Sequence, residues 1–276
     1  MRSNLSKKEI ESGKDLIQLL LEKDIKLLPD YLRELVLEYK NFFKDPQQEY
    51  LWFSKKTKQK EFNQKYDKIM LLLSGITASG KDAIRQEIER LSPNLLTKTI
   101  TATSRQPRKE EVDGKDYYFF NNSKNFRQAI KNKEFLEYIK QGQRFYGLPK
   151  KSLDEAIKQK NPVIYSQIEM SGWTKVERYL SNLPEVNIFN LKVFVVPEMN
   201  FSEYQQWLKE KRSNDDLESR LAKTGWELKK APKKSHFIVI NKITKDGEHL
   251  THTAQTIITQ TNRLLSLPKK KEKIIL

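Results

Sequence analysis

The 276-residue chain contains no cysteine, which excludes disulfides and thiolate metal sites. Histidine is scarce, and its three copies make no metal-binding cluster. The longest apolar runs fall far short of the roughly 20 residues that a membrane-crossing helix needs. The first residues lack the apolar region of a secretory leader. Together these absences predict a cytoplasmic protein without a membrane partner. Acidic residues are outnumbered 36 to 52 by Lys and Arg, for a formal charge of +16. Such a chain carries a positive field that attracts polyanions; nucleotides, nucleic acid and acidic membrane would all satisfy it. Nothing in the composition addresses oligomeric state.

The segment that carries most information runs from Leu71 to Asp82. An apolar run, 69–73, reads as a buried strand, and 82–90 is compatible with a helix. Between them Gly75, Ile76, Thr77, Ala78, Ser79, Gly80 and Lys81 have the G-x-x-x-x-G-K spacing of a phosphate-binding loop. In such a loop backbone N–H groups wrap a polyphosphate, glycines permit the turn, and the following helix adds its positive N-terminal end. Lys81 reaches the outer phosphates as a point charge. The loop normally closes with a hydroxyl that meets magnesium, and this chain has Asp82.

In chain order, residues 1–66 read as a helical N-terminal module. Its third helix is expected to start at Asp45-Pro46, with Tyr50, Leu51 and Phe53 near that start. Lys55, Lys56, Lys58 and Lys60 read as a solvated helix face in preference to a nucleic-acid contact. After the loop helix, 96–103 reads as one strand, and 105–150 as a small subdomain of strands around a helix at 125–131. Then come helix 150–160, strand 162–168, helix 171–180, strand 189–196, helix 201–211, helix 216–229, strand 237–240 and helix 249–265. Strands alternating with helices predict an α/β fold with a mostly parallel sheet flanked by helices. Lys269, Lys270 and Lys271 belong to a basic tail, 269–276, and no internal repeat is present.

Behind the loop lies Thr101-Ala102-Thr103-Ser104-Arg105-Gln106-Pro107-Arg108, then Gly114-Lys115-Asp116-Tyr117. Two arginines three residues apart around a proline suit a doubly charged phosphate, because guanidinium forks bind its oxygens in pairs. Tyr117 and Tyr146 are hydroxyl donors able to complete such a clamp. With the loop, these runs and those at 134–137, 145–147, 168–172, 220–221 and 239–241 resemble the guanylate kinase family. The resemblance covers 67 to about 266. It implies a P-loop kinase core over 67–268, an acceptor-binding subdomain at about 104–150 and a lid at about 208–220.

The resemblance further implies ATP as phosphoryl donor, GMP as acceptor and Mg2+ as cofactor. Arg105, Arg108, Tyr117 and Tyr146 match the holders of the acceptor's phosphate, and Glu137, Glu169 and Thr101 match the readers of the base. Guanine offers N1–H and an exocyclic amine on one edge, and carboxylates only accept, so two carboxylates select it over adenine. Lys81, Arg220, Lys211 and Arg212 match cations over the transferring phosphate, Asn241 matches an adenine contact, and Asp82 is the candidate magnesium ligand. Ala78 stands for a loop glycine, Leu148 for a hydroxyl near the base and Trp207 for an arginine, with a lid shorter than usual. These departures keep two rival readings open: a non-catalytic binding module of the same family, and a kinase for another phosphorylated acceptor.

Overall fold

A computed structural model describes residues 51–53, 64–183, 185–197, 201–211, 217–241 and 248–266. The expected helices before residue 51, the lysines at 55–60 and the basic tail lie outside the described residues. The described chain falls into two compact units. One takes Ser74–Leu91 and Lys192–Thr259 together with residues 51–53; the other takes Ser92–Leu191 with residues 64–73 and 260–266.

The α/β reading holds. Strand β2 (Lys68–Gly75), which belongs to the second unit as far as Leu73, is buried from Ile69 onward. It pairs in parallel with β8 (Val163–Gln167), which pairs in parallel with β3 (Leu96–Lys98). Continuous apolar runs, with no polar alternation, are what strands covered on both faces require. Helices α3 (Lys150–Lys158) and α4 (Met170–Leu180) flank β8 along the chain. Strand β9 (Ile188–Pro197), which enters the first unit at Lys192, pairs there in parallel with β10 (Phe237–Asn241). The helices of that unit are α1 (Lys81–Leu91), α5 (Phe201–Lys211) and α6 (Leu217–Lys234); α7 (Glu248–Ser266) follows β10 and crosses the unit boundary. Helix α1 buries Ile84 and Ile88, one turn apart on the same face.

Three expectations need correction. Residues 51–53 were expected near the start of a helix, but Leu51–Phe53 is a strand, β1, antiparallel to β10 with Leu51 opposite Val239 and Phe53 opposite Phe237. A Leu-Trp-Phe run has strong strand preference once an apolar partner strand is present, and that tertiary partner decides the outcome. The single strand expected over 96–103 is two. Thr99 N–H still donates to Tyr165 O at 2.9 Å, but Ile100 N–H is taken by Ser152 Oγ at 2.7 Å, ending the ladder. The chain then enters another sheet as β4 (Ala102–Thr103). Helix α6 also runs on to Lys234, five residues past its expected end at 229.

That other sheet has the order β5-β4-β7-β6, with β5 at Tyr118–Phe119, β6 at Phe135–Gln141 and β7 at Arg144–Pro149. Helix α2 (Ser123–Lys131) starts at Asn122, whose side chain accepts the N–H of Asn125. It delivers Phe126 and Ala129 to a separate small core with Ala102, Phe135 and Phe145. Phe126 stacks on Phe135 with centroids 4.5 Å apart. This core fixes the strands from which the acceptor-side candidates project.

Candidate active site

The loop leaves β2 at Gly75 and enters α1 at Lys81. Gly75 is there because a Cβ would collide with the carbonyl oxygen of Val195. Gly80 has φ +83° and meets the Asn241 amide closely, so no other residue fits without strain. Each of five consecutive carbonyls accepts a hydrogen bond from a side chain. Lys81 Nζ donates to Gly75 O at 2.9 Å and Ile76 O at 2.8 Å, and to Ser79 Oγ at 3.3 Å. Tyr204 Oη donates to Thr77 O at 2.9 Å, Trp207 Nε1 to Ala78 O at 3.0 Å, and Asn241 Nδ2 to Ser79 O at 2.9 Å. A trans peptide points its C=O and N–H in opposite directions. Fixing these carbonyls therefore also fixes the direction of the adjoining N–H groups, as an anion-binding nest requires.

Arg220 on α6 is close enough to the Tyr204 phenol to act on its charge, although burial dominates and pushes that phenol's pKa up. Thr224 links the two, donating to Arg220 O at 2.8 Å and lying 3.3 Å from Tyr204 Oη. The Arg220 Nε is buried without a hydrogen-bond partner among the described residues. The Asn241 Oδ1 is in the same situation, and Asn241 itself is buried. Asp82 sits exposed in the first turn of α1, and its carboxylate has no hydrogen-bond partner among the described residues. Arg212 and the side chain of Lys211 lie outside the described residues.

The acceptor-side candidates are all in the other unit. Arg105 follows β4 and is buried, with its guanidinium 5.1 Å from the Tyr117 ring centre and 5.5 Å from that of Phe119. Tyr117 meets Tyr146 edge-on at 6.5 Å, and Tyr146 stands opposite Thr103 in the β4–β7 pair. Arg105, Tyr117 and Tyr146 thus come together. Arg108 approaches the same carboxylate as Arg105: its side chain is 66% exposed, its Nη1 lies 4.0 Å from Glu111 Oε1, and its backbone N–H binds Glu111 Oε2 at 2.8 Å.

Glu111 is the residue that sequence reasoning missed here. Its two oxygens take Arg105 Nη1 and Nη2 at 2.5 Å each, and Arg105 Nη1 also reaches Gln106 O at 2.9 Å. Three guanidinium donors are therefore committed, which fixes the plane of the group and directs the Nε side of the fork. A short acidic spacing from Arg105 was the available signal. The Arg105 guanidinium, with the Arg108 backbone N–H, lowers the Glu111 pKa to about 2 against the opposing effect of burial. A folded-state pKa below the unfolded one gives stability that is present above about pH 4.5 and fades as pH falls toward 2. Glu111→Gln is thus expected to melt below the unmutated chain at pH 6, with the gap closing between pH 4 and 2. A gap independent of pH would show that the ion pair is not its source.

Glu137 lies on β6 beside a register shift, opposite Leu148 of β7, and is 4% exposed. Its side chain packs on Gly172, where a Cβ would come within 2.8 Å of Glu137 Cγ and 3.0 Å of Oε2. Gly172 is in the first turn of α4, and Glu169 is the N-cap of that helix, its carbonyl accepting the Gly172 N–H at 2.9 Å. The fold therefore brings both candidate base readers to one helix start, where the positive end of the helix favours negative charge. Thr101 sits between β3 and β4, its carbonyl bound by Tyr118 N–H at 2.9 Å. Leu148 is fully buried. His236 accepts the Lys192 N–H at 3.1 Å, and burial lowers its pKa to about 3, so it is a neutral structural residue.

A family model described as Guanylate kinase matches residues 67–256. Among curated proteins, a guanylate kinase of Wolbachia pipientis wMel is 29% identical over 208 residues, covering 75% of this chain and 96% of that protein. A guanylate kinase of Aster yellows witches'-broom phytoplasma is 27% identical over 197 residues, covering 71% and 89% respectively. Among solved structures, a guanylate kinase from Anaplasma phagocytophilum aligns with a TM-score of 0.49 at 20% identity, over 74% of this chain and 90% of that one.

Proposed function

This chain belongs to the guanylate kinase family, and on that premise we propose that it transfers the γ-phosphoryl group of ATP to GMP, forming ADP and GDP. An oxygen of the acceptor's monophosphate attacks the γ-phosphorus as the bond to the β-phosphate oxygen breaks. No covalent residue is required, so the protein's task is positioning and charge stabilisation. The observation that carries the reading is the placement of Glu137 and Glu169 at the start of α4, with Gly172 leaving room for the first of them. Two acceptor-only groups match the two donors on guanine's edge and leave adenine's edge half-paired. Arg105, held by Glu111, with Tyr117 and Tyr146, receives the GMP phosphate, and Arg108, beside the same Glu111, adds a second guanidinium. Thr101 donates its hydroxyl to the guanine carbonyl.

On the donor side the loop from Gly75 through Ile76, Thr77, Ala78, Ser79 and Gly80 wraps the ATP phosphates, Lys81 and Arg220 offset their charge, and Asn241 offers Oδ1 to the adenine. Lys211 and Arg212 add cations from the lid. No cluster of three or more His, Asp or Glu able to hold a metal occurs among the described residues. A single exposed carboxylate, Asp82, beside a phosphate loop suits Mg2+, which keeps most of its ligands as water and phosphate oxygens. When bound, that ion neutralises charge on the β- and γ-phosphates.

A coupled assay of GDP formation is the test, with GMP and AMP compared at equal concentration. GMP is expected to react, with AMP slower by at least about a hundredfold. Equal use of both would remove the base-reading assignment. Binding of GMP without any turnover would move the chain to the non-catalytic branch.

A further inference from the structure

Two departures noted in the sequence, Ala78 and Trp207, meet in the fold. Ala78 has φ +60°, the left-handed conformation in which an alanine Cβ crowds the following carbonyl oxygen. Trp207, one turn beyond Tyr204 on α5, donates its indole N–H to the Ala78 carbonyl at 3.0 Å. We propose that Trp207 is a positioning residue for donor binding: its bond to Ala78 O holds this alanine left-handed, and so holds the loop in the shape that receives phosphate. The inference rests on reading the loop as the ATP site.

The physical argument is one of compensation. An anion-binding nest needs residues of left-handed conformation at set places, and here Ala78 and Gly80 supply them. Glycine adopts that conformation without penalty, and Gly80 has it with the Asn241 amide against its Cα. Alanine at 78 favours right-handed or extended backbone when nothing restrains it. Rotation into either would swing the Ala78 carbonyl away from its present direction and disturb the turn that Ser79 N–H makes to Ile76 O at 3.3 Å. A donor bound to that carbonyl, supplied by a rigid two-torsion side chain, opposes that rotation. Tyr204 provides the contrast. It restrains the neighbouring carbonyl, Thr77 O, at 2.9 Å, but Thr77 is not in the left-handed region. Its contribution has no reason to depend on which residue occupies position 78.

The experiment is a double-mutant cycle read by calorimetric titration of the full chain with ATP and magnesium. Trp207→Phe keeps the ring and removes the donor. It is expected to weaken ATP binding by about five- to twentyfold when residue 78 is alanine, and by less than about twofold in the Ala78→Gly background. Tyr204→Phe is the control and should weaken binding by the same factor in both backgrounds. Melting temperatures separate the positioning role from a merely structural one, since a structural bond would lower stability without changing ATP affinity. Should Trp207→Phe fail to fold alone, Ala78→Gly/Trp207→Phe carries the test: it should fold and bind ATP within about twofold of Ala78→Gly. Equal loss in both backgrounds, or no loss at all, overturns the inference while leaving the ATP site in place. An unmutated chain that binds no ATP overturns the site reading and the inference together.

Discussion

Lys81→Ala is expected to lower the rate of GDP formation by about 10²–10³-fold, in the range seen when one preorganised electrostatic donor is removed from a reacting centre. Two contributions combine. The ammonium is the loop's own cation, and it reaches Gly75 O, Ile76 O and Ser79 Oγ across the inside of the turn. Its loss leaves developing charge on the transferring phosphoryl oxygens unbalanced. It also releases two of the five carbonyls whose hydrogen bonds fix the direction of the loop N–H groups. ATP affinity and kcat should therefore fall together. GMP affinity should hold within about twofold, because Arg105, Tyr117, Tyr146, Glu137 and Glu169 all belong to the other unit. Rates with both substrates varied, plus GMP titration in the absence of ATP, make the check. A Lys81→Ala protein with unchanged turnover would exclude the loop as the donor site.

What could be read from the sequence was local, and what escaped it depended on distant partners. The loop was legible because strand, glycines, lysine and helix follow one another within about twenty residues. Helix 201–211 was legible from its pattern, and the structure has it at Phe201–Lys211. The strand at Leu51–Phe53 was not, because its pairing partner lies at Phe237–Val239, and nothing near residue 51 announces it. The break between β3 and β4 depends on Ser152, 52 residues downstream of the N–H that it captures. Trp207 was visible only as a substitution; its bond to a carbonyl 129 residues away gives it a role. Arg105 and Glu111 are the instructive middle case. They are six residues apart, within reach of sequence reasoning. Attention to the phosphate-binding capacity of the arginine hid the acid that orients it. The two base-reading candidates were named from the resemblance, but Gly172, which makes space for Glu137 against α4, needed coordinates.

Glu137→Gln is expected to reduce kcat/KM for GMP by about 10–10²-fold, with little change in melting temperature. The substitution is nearly isosteric, so the packing against Leu148 and Gly172 is kept. The chemistry is not kept. A carboxylate accepts from guanine N1–H or the exocyclic amine in a charge-assisted bond, typically worth about 1.5–3 kcal/mol. The amide loses that charge, and in one orientation sets its own NH2 against a guanine donor, in a site where Glu137 is 4% exposed and water offers little relief. KM for ATP should be unchanged, since the donor loop is not touched. Gly172→Ala approaches the same group from the helix side. It removes a helix glycine, which favours stability by up to about 1 kcal/mol. The new Cβ would stand 2.8 Å from Glu137 Cγ and 3.0 Å from Oε2, so the side chain must move. A displacement of that size at a base-reading group is expected to raise KM for GMP about tenfold. Because the crowded atoms include Cγ and Cβ of a buried side chain, the clash offsets the helix-propensity gain in stability. If Glu137→Gln keeps unmutated kcat/KM for GMP, Glu137 does not read the base. If Gly172→Ala then also leaves KM unchanged, the packing of Glu137 on α4 is structural and the base is read elsewhere.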